Sequence, residues 1–392
     1  MVYLNELGII CPLGNTRDEV TRRMLELGQS GVAMTDMYSP GRALALGRVD
    51  GALPPAGELP LRDRSRNNQL ALAVLAQIRP AVDAAIERFG PGRVGVAIGT
   101  STSGIAHGEA AMREYAVTGT LPTEFHYGQI EMGSPAAALA AALGVTGPAY
   151  VHSTACASSA KALASAARLI RMNACDAVVA GGVDTLCAFT VAGFAALESV
   201  SATRCNPLSK NRNGINIGEG AALFLVTREP AAVALRGWGE SSDGHHMSAP
   251  DPAGAGARLA IERALSRAGI AAAEIDYVNL HGTATVQNDA MEARVIHELF
   301  GAEISVSSTK PFTGHALGAA GAIEAGLCWL AMQDDNPRGK LPPHLWDGVG
   351  DPGLPALNVA QPGDCLGRPL RWALSNSFAF GGANATLVLG RE

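Results

Sequence analysis

Apolar positions along the chain follow two rhythms that take turns. Residues 93–98, 177–180, 277–280 and 304–307 are short runs rich in aliphatic and β-branched side chains, each followed by turn residues. Runs that short, with no polar alternation, predict strands buried on both faces. Between them the spacing lengthens: over 158–172, Ala160, Leu163, Ala164, Ala167 and Ile170 share one apolar helical face. A second helix, over 318–332, is rich in glycine and alanine and carries one acid, Glu324. Strands alternating with helices predict an α/β protein built on a largely parallel sheet.

A strand-like run at 222–227 gives way to Arg228-Glu229-Pro230 before a new segment begins, which divides the chain into halves at 1–235 and 236–392. The length of 392 residues exceeds the usual size of one domain. Neither an internal repeat nor a low-complexity linker marks the joint. The last predicted strand, 385–389, follows Gly381-Gly382 and ends the chain inside the sheet.

Composition acts mainly by exclusion. A 47% hydrophobic chain with 17% charged residues and 46 glycines buries a large core and is neither disordered nor a small stapled scaffold. Seven cysteines without a C-x-x-C pair suggest reduced thiols, with no disulfide framework and no zinc site. The net charge of −6, without a basic block, points away from nucleic acid. No basic leader precedes an apolar run, and no stretch approaches the roughly 18 uninterrupted apolar residues of a membrane span, so a cytoplasmic protein is expected. No G-x-G-x-x-G follows a strand, so no nucleotide or redox cofactor is expected. His245-His246 lacks nearby acidic or cysteine ligands and reads as a structural loop.

Candidate chemistry lies at the strand ends. Cys156, in Ser153-Thr154-Ala155-Cys156-Ala157-Ser158-Ser159, sits between a strand at 150–152 and the first helix. Unpaired amides at a helix start favour an anion and can lower a thiol from about 8.5 to roughly 3.5–7.5. The plainer reading is a small buried cysteine in a packed turn. His281 follows the strand at 277–280 directly, where α/β proteins build their sites, although a lone histidine there often serves only structure. Ser308-Thr309-Lys310-Pro311-Phe312-Thr313-Gly314-His315 is again a strand entering a turn, which brings Lys310 and His315 to the same end of the sheet. Glu324 needs a cationic partner if buried, and Lys310 is the candidate. A thiolate can accept an acyl group as a thioester. Two imidazoles can hydrogen-bond a second thioester oxygen and stabilise the enolate left by decarboxylation. The Cys156 amide and one from Phe378-Ala379-Phe380-Gly381-Gly382 would hold the oxyanion.

Taken in order, Thr154 through Ser159, Gly181-Gly182-Val183-Asp184, Gly218-Glu219-Gly220-Ala221, His281 through Thr285, Lys310 through His315 and Asn376 through Gly382 resemble the elongating β-ketoacyl-acyl carrier protein synthases of the thiolase superfamily. The likeness spans nearly the whole chain. It implies a duplicated thiolase-like fold in five layers, α-β-α-β-α, and decarboxylative condensation of an acyl thioester with a malonyl donor. It implies Cys156 as the acylated nucleophile, His281 and His315 in decarboxylation and condensation, and Lys310 as an organising residue paired with Glu324. Thr283 and Thr285 match positions that hold the phosphopantetheine arm on which acyl carrier protein delivers substrate. Phe380 matches a gate whose amide joins the oxyanion hole; Phe378 lies beside it, and Phe194 and Thr102 fall at acyl-pocket positions. The implied assembly is a homodimer, or a heterodimer with a related ketosynthase or chain-length-factor subunit.

The sequence also departs from that pattern. Asn206 through Ile215 replaces a run that commonly ends in phenylalanine, and Ala379 replaces a hinge glycine. These departures favour a specialised polyene, aryl polyene or polyketide role over housekeeping fatty acid synthesis. A non-catalytic chain-length-factor partner is the alternative, opposed by the presence of Cys156. A thiolase is opposed by the lack of a second cysteine in 376–384, and an initiating synthase by His315. An acidic carrier needs a basic docking patch, and Arg62, Arg64 and Arg66 are the densest cluster; charges facing water at a helix start explain them equally well.

Overall fold

The computed structural model describes residues 1–392. Its strands are β1 (Tyr3–Ile10), β2 (Val32–Thr35), β3 (Leu44–Gly47), β4 (Val94–Gly99), β5 (Ala149–His152), β6 (Ala177–Asp184), β7 (Gly220–Thr227), β8 (Val233–Ser242), β9 (Tyr277–Asn279), β10 (Ser305–Ser307), β11 (Asn358–Val359), β12 (Trp372–Phe378) and β13 (Ala383–Arg391). The β2–β3 hairpin stands apart, and the others run in the order β11-β10-β9-β12-β13-β8-β1-β7-β6-β4-β5.

Two copies of one topology account for that order. In the first half β5, β4 and β6 are parallel neighbours, β7 runs antiparallel to β6, and β1 antiparallel to β7. In the second, β10, β9 and β12 are parallel, β13 runs antiparallel to β12, and β8 antiparallel to β13. One pairing, Tyr3 with Ala234, joins the two sets. The halves therefore meet between Thr227 and Val233, and the expected cut after residue 235 falls inside β8. The duplication is one of topology, legible in strand order and not as a sequence repeat.

Period-two side chains then build the layers. In β7, Ala222, Phe224 and Val226 enter a central core while Ala221, Leu223 and Leu225 enter an outer one. In the other half, Leu387 and Leu389 face the central core and Val388 a second outer one. The helices Ser158–Arg171 and Ala320–Ala331 fill the middle. The helix Arg66–Phe89 covers one outer face and Ala255–Ala268 with Val286–Phe300 the other, which makes five layers. Arg66–Phe89 is long and apolar enough to cross a bilayer by composition, yet its Leu70, Val74, Ile78 and Val82 are buried against the sheet.

One turn expectation fails for a packing reason. Gly181 and Gly182 continue β6 instead of ending it. A side chain at Gly181 would meet the Ala222 carbonyl oxygen at 1.9 Å, and one at Gly182 the Ser159 Cβ at 2.5 Å. Gly182 thus lets the start of the Ser158–Arg171 helix lie close on the sheet, and Gly181 leaves room for the backbone of β7.

Candidate active site

The same end of the double sheet gathers three loops. Cys156 lies in the turn between β5 and the Ser158–Arg171 helix, His281 follows β9, and Lys310 and His315 follow β10. Three non-glycine residues in these loops take left-handed backbone conformations: Ala155 (φ 49°), Ala284 (φ 64°) and Leu317 (φ 47°). Such conformations persist only where the surroundings impose them. The Ser158 hydroxyl bonds the Ala155 carbonyl at 2.5 Å and accepts from the Thr154 amide at 2.9 Å. The His315 amide donates to the Asn216 carbonyl at 2.6 Å.

Cys156, His281 and His315 converge despite their separation in sequence. Their side-chain sulfur and nitrogen atoms all lie within 4.8 Å of one another, and His315 Nε2 is 2.9 Å from Cys156 Sγ. The imidazole rings stand edge to face, 5.4 Å between centroids, and Phe378 packs against His281 at 6.1 Å. They line a cleft with Phe194, Thr283, Thr285, Phe378 and Phe380. The Thr283 and Thr285 hydroxyls are 3.0 Å apart. Phe194 and Phe380 stack at 5.5 Å across the cleft. Ala379 adopts φ −95°, ψ 155°, a conformation open to any residue, so the expected hinge glycine is not required in this state.

The electrostatics correct one expectation. Burial pushes the Cys156 thiol up to about 12, opposed by the Lys310 charge and by the backbone amides of Phe380 and Cys156 itself. The helix start alone therefore does not make a thiolate; with the sulfur 5% exposed, desolvation outweighs it. His281 and His315 are held well below the ordinary imidazole range by burial and then by Lys310. Both are neutral, able to take or give one proton, and His315 is placed to receive the thiol proton as sulfur attacks a thioester. The two amides near the sulfur are the pair that an oxyanion at the acyl carbon requires. Alkylation of Cys156 by iodoacetamide is accordingly expected to accelerate about tenfold per pH unit from pH 6 to 9. A plateau near neutrality would show a depressed thiol instead.

Lys310 and Glu324 form the expected ion pair, with side chains 1% and 2% exposed. Two other expectations fall. Thr102 is buried, its hydroxyl bonded to Asp184 at 2.7 Å, and it does not line the cleft. The three arginines do not make a free patch: Arg66 grips the fully buried Glu219 at 2.6 Å, and Arg64 is tied to Glu124 and the Leu59 carbonyl. Only Arg62 projects, its side chain 57% exposed.

Several positioning residues escaped the sequence reading. Glu292 accepts from the amides of His281 and Gly282, both at 2.8 Å, and from Asn376 at 3.1 Å. Its carboxyl is pushed up to about 7 by burial, against those hydrogen bonds. Asp289, one turn earlier, accepts from the amides of Leu208 and Ala284. Both acids fall on the buried face of Val286–Phe300 among Met291, Val295 and Ile296, and that helical spacing was the available signal. Asp184 bonds Thr100, Ser101, Thr102 and the Gly318 amide, joining the loop after β4 to the loop after His315. His344, 1% exposed, accepts from the Ser308 amide at 3.0 Å while its Nε2 lies 2.9 Å from the Pro207 carbonyl oxygen.

Comparison with known proteins agrees with this geometry. Residues 59–232 match the beta-ketoacyl synthase N-terminal domain family and 232–345 the C-terminal domain family. A 3-oxoacyl-[acyl-carrier-protein] synthase 2 from Coxiella burnetii is 31% identical, covering 100% of this chain and 98% of its own. The structure of the ketosynthase ApeO with its chain length factor ApeC, from Xenorhabdus doucetiae, matches with TM-score 0.93 and 45% identity, over 100% of this chain and 98% of that one. A beta-ketoacyl synthase from Burkholderia phymatum STM815 matches at TM-score 0.87 and 28% identity, over 100% and 99%. With a duplicated thiolase-like fold and a cysteine set between two neutral imidazoles, the chain belongs to the beta-ketoacyl synthase family and is an acyl-transferring condensing enzyme.

Proposed function

We propose that the chain is the catalytic subunit of a specialised ketosynthase that extends acyl groups carried on acyl carrier protein, with an unlike, chain-length-factor-like subunit as its partner. The observation that carries this reading is the convergence of Cys156, His281 and His315 in a chain 45% identical to a chain of the ApeO–ApeC complex, against 31% for the Coxiella synthase. In the reaction the acyl group passes from the carrier sulfur to Cys156 Sγ, and the Cys156 proton passes by way of His315 to the departing carrier thiolate. A malonyl thioester then enters past Thr283 and Thr285. Its oxygen accepts from the two imidazoles, carbon dioxide leaves, and the enolate carbon attacks the acyl carbon held at the Cys156 and Phe380 amides. Sulfur departs as a thiolate and takes up one proton from solvent. The phosphopantetheine of the carrier is the only prosthetic group this chemistry calls for, and the cytoplasm is the compartment where such carriers work.

An uncovered face supports a partner subunit. The helix Ala188–Ala196 has no charged residue, yet Val191 is its one buried side chain, and Phe189 is 64% exposed. Beside it, the helix Ile105–Thr118 buries only Ala111 and leaves Val117 87% exposed. An apolar face left open to solvent is what a partner subunit would cover. Chain-length profiling with purified acyl carrier proteins, on the chain alone and with candidate unlike subunits, tests the reading. Condensation that depends on the second subunit and favours a narrow set of acyl chains is expected. A self-paired chain equally efficient on saturated chains of many lengths would contradict it.

A further inference from the structure

The donor set at the nucleophile has a second chemical capacity. Cys156, His281 and His315 bring one sulfur and two imidazole nitrogens within 4.8 Å of one another, with the Cys156–His315 pair already at 2.9 Å. A tetrahedral zinc site needs sulfur and nitrogen donors about 3.3–3.6 Å apart, so sub-ångström to ångström adjustments complete three corners. No carboxylate belongs to the cluster, and a donor set of one thiolate and two imidazoles prefers Zn²⁺, Cd²⁺ or Cu⁺ to Mg²⁺ or Ca²⁺. The buried Nδ1 atoms of both histidines have no protein partner, so the rings are not locked by second hydrogen bonds and can turn toward a shared ion. The nearest fixed cation, Lys310, is paired with Glu324, which offsets part of its charge at Cys156, while Lys310 still disfavours positive charge on the two imidazoles.

We infer that the catalytic cluster is also a soft-metal site, at which a zinc-class ion binds Cys156, His281 and His315 and reversibly blocks acylation. The fourth corner faces the cleft, where water or a substrate oxygen completes the shell. Binding forms a metal–sulfur bond and breaks the S–H bond, releasing one proton to solvent, so uptake tightens as pH rises. An acylated cysteine has no thiolate to give, so acyl group and metal exclude one another. The donors span 159 residues, from Cys156 to His315, which is why no ligand spacing announced the site.

The probe is ZnCl₂ added to the purified chain in buffer free of chelator and thiol. Iodoacetamide labelling of the Cys156 peptide, read by mass spectrometry, is expected to be lost with zinc, restored by EDTA and untouched by MgCl₂. In His281→Ala and His315→Ala, zinc is expected to lose this protection. A second arm needs no variant: wild-type protein alkylated at Cys156 should bind one zinc ion fewer per chain in equilibrium dialysis. Unchanged Cys156 labelling in zinc, protection that survives in both histidine variants, or equal zinc uptake by alkylated and free protein would each overturn the assignment.

Discussion

Cys156→Ala is expected to reduce condensation by about 10⁴–10⁶-fold while leaving slow decarboxylation of a malonyl thioester measurable. The split follows from the geometry. Acyl transfer needs the sulfur, since no other thiol lies in the cleft. Decarboxylation needs hydrogen-bond donors to the malonyl thioester oxygen, and the His281 and His315 ring N–H groups remain to provide them. Alanine also removes only a small volume at a 5% exposed position, so the fold and the histidine pair persist. Carbon dioxide release and β-ketoacyl product, measured on the same sample, separate the two steps. Condensation retained in this variant would remove Cys156 from the reaction, and loss of both activities would mean that the histidines cannot act without the sulfur.

Glu324→Ala is expected to destabilise folding by about 3–5 kcal/mol, read as a lower urea midpoint, and to abolish turnover. Burial pushes the Glu324 carboxyl up and the Lys310 ammonium opposes that rise, so each ion depends on the other. Removing the carboxylate strands an ammonium that is 1% exposed and acts electrostatically on His281 and His315. Replacing both ions, in Lys310→Met with Glu324→Leu, should recover most of the stability because nothing charged is then left buried. Turnover should stay low, because the Lys310 charge that acts on His281 and His315, in addition to their burial, is gone. A double variant as unstable as the single one would mean that packing at these positions, not ion pairing, sets the cost.

Much of this architecture was legible in residue order, for identifiable reasons. The strands at 177–180 and 277–280 are buried on both faces, so their sequences are nearly continuous apolar runs that need no context. Cys156, His281, Lys310 and His315 stand in turns at strand ends, where local sequence reports position. What stayed hidden depends on through-space pairing. The duplication shows only when β10-β9-β12-β13-β8 is laid beside β5-β4-β6-β7-β1, because equivalent strands share topology and not side chains. Arg66 looked like a surface charge because its partner, Glu219, is 153 residues away. Glu292 and His344 act on the backbone of the site loops, and a hydrogen bond to an amide leaves no mark in sequence at the amide's own position. The thiol was misjudged for a related reason: a helix start can be read from sequence, whereas the depth of burial that overrides it cannot.

The most direct test follows the Cys156 peptide by mass spectrometry after the chain is mixed with an acyl carrier protein thioester and then with a malonyl one. An acyl mass should appear on Cys156 and vanish on the second addition, together with release of carbon dioxide and a product two carbons longer. An adduct on any other residue, or one on Cys156 that survives the malonyl donor, would contradict the assignment of a sulfur and two imidazoles as one condensing centre.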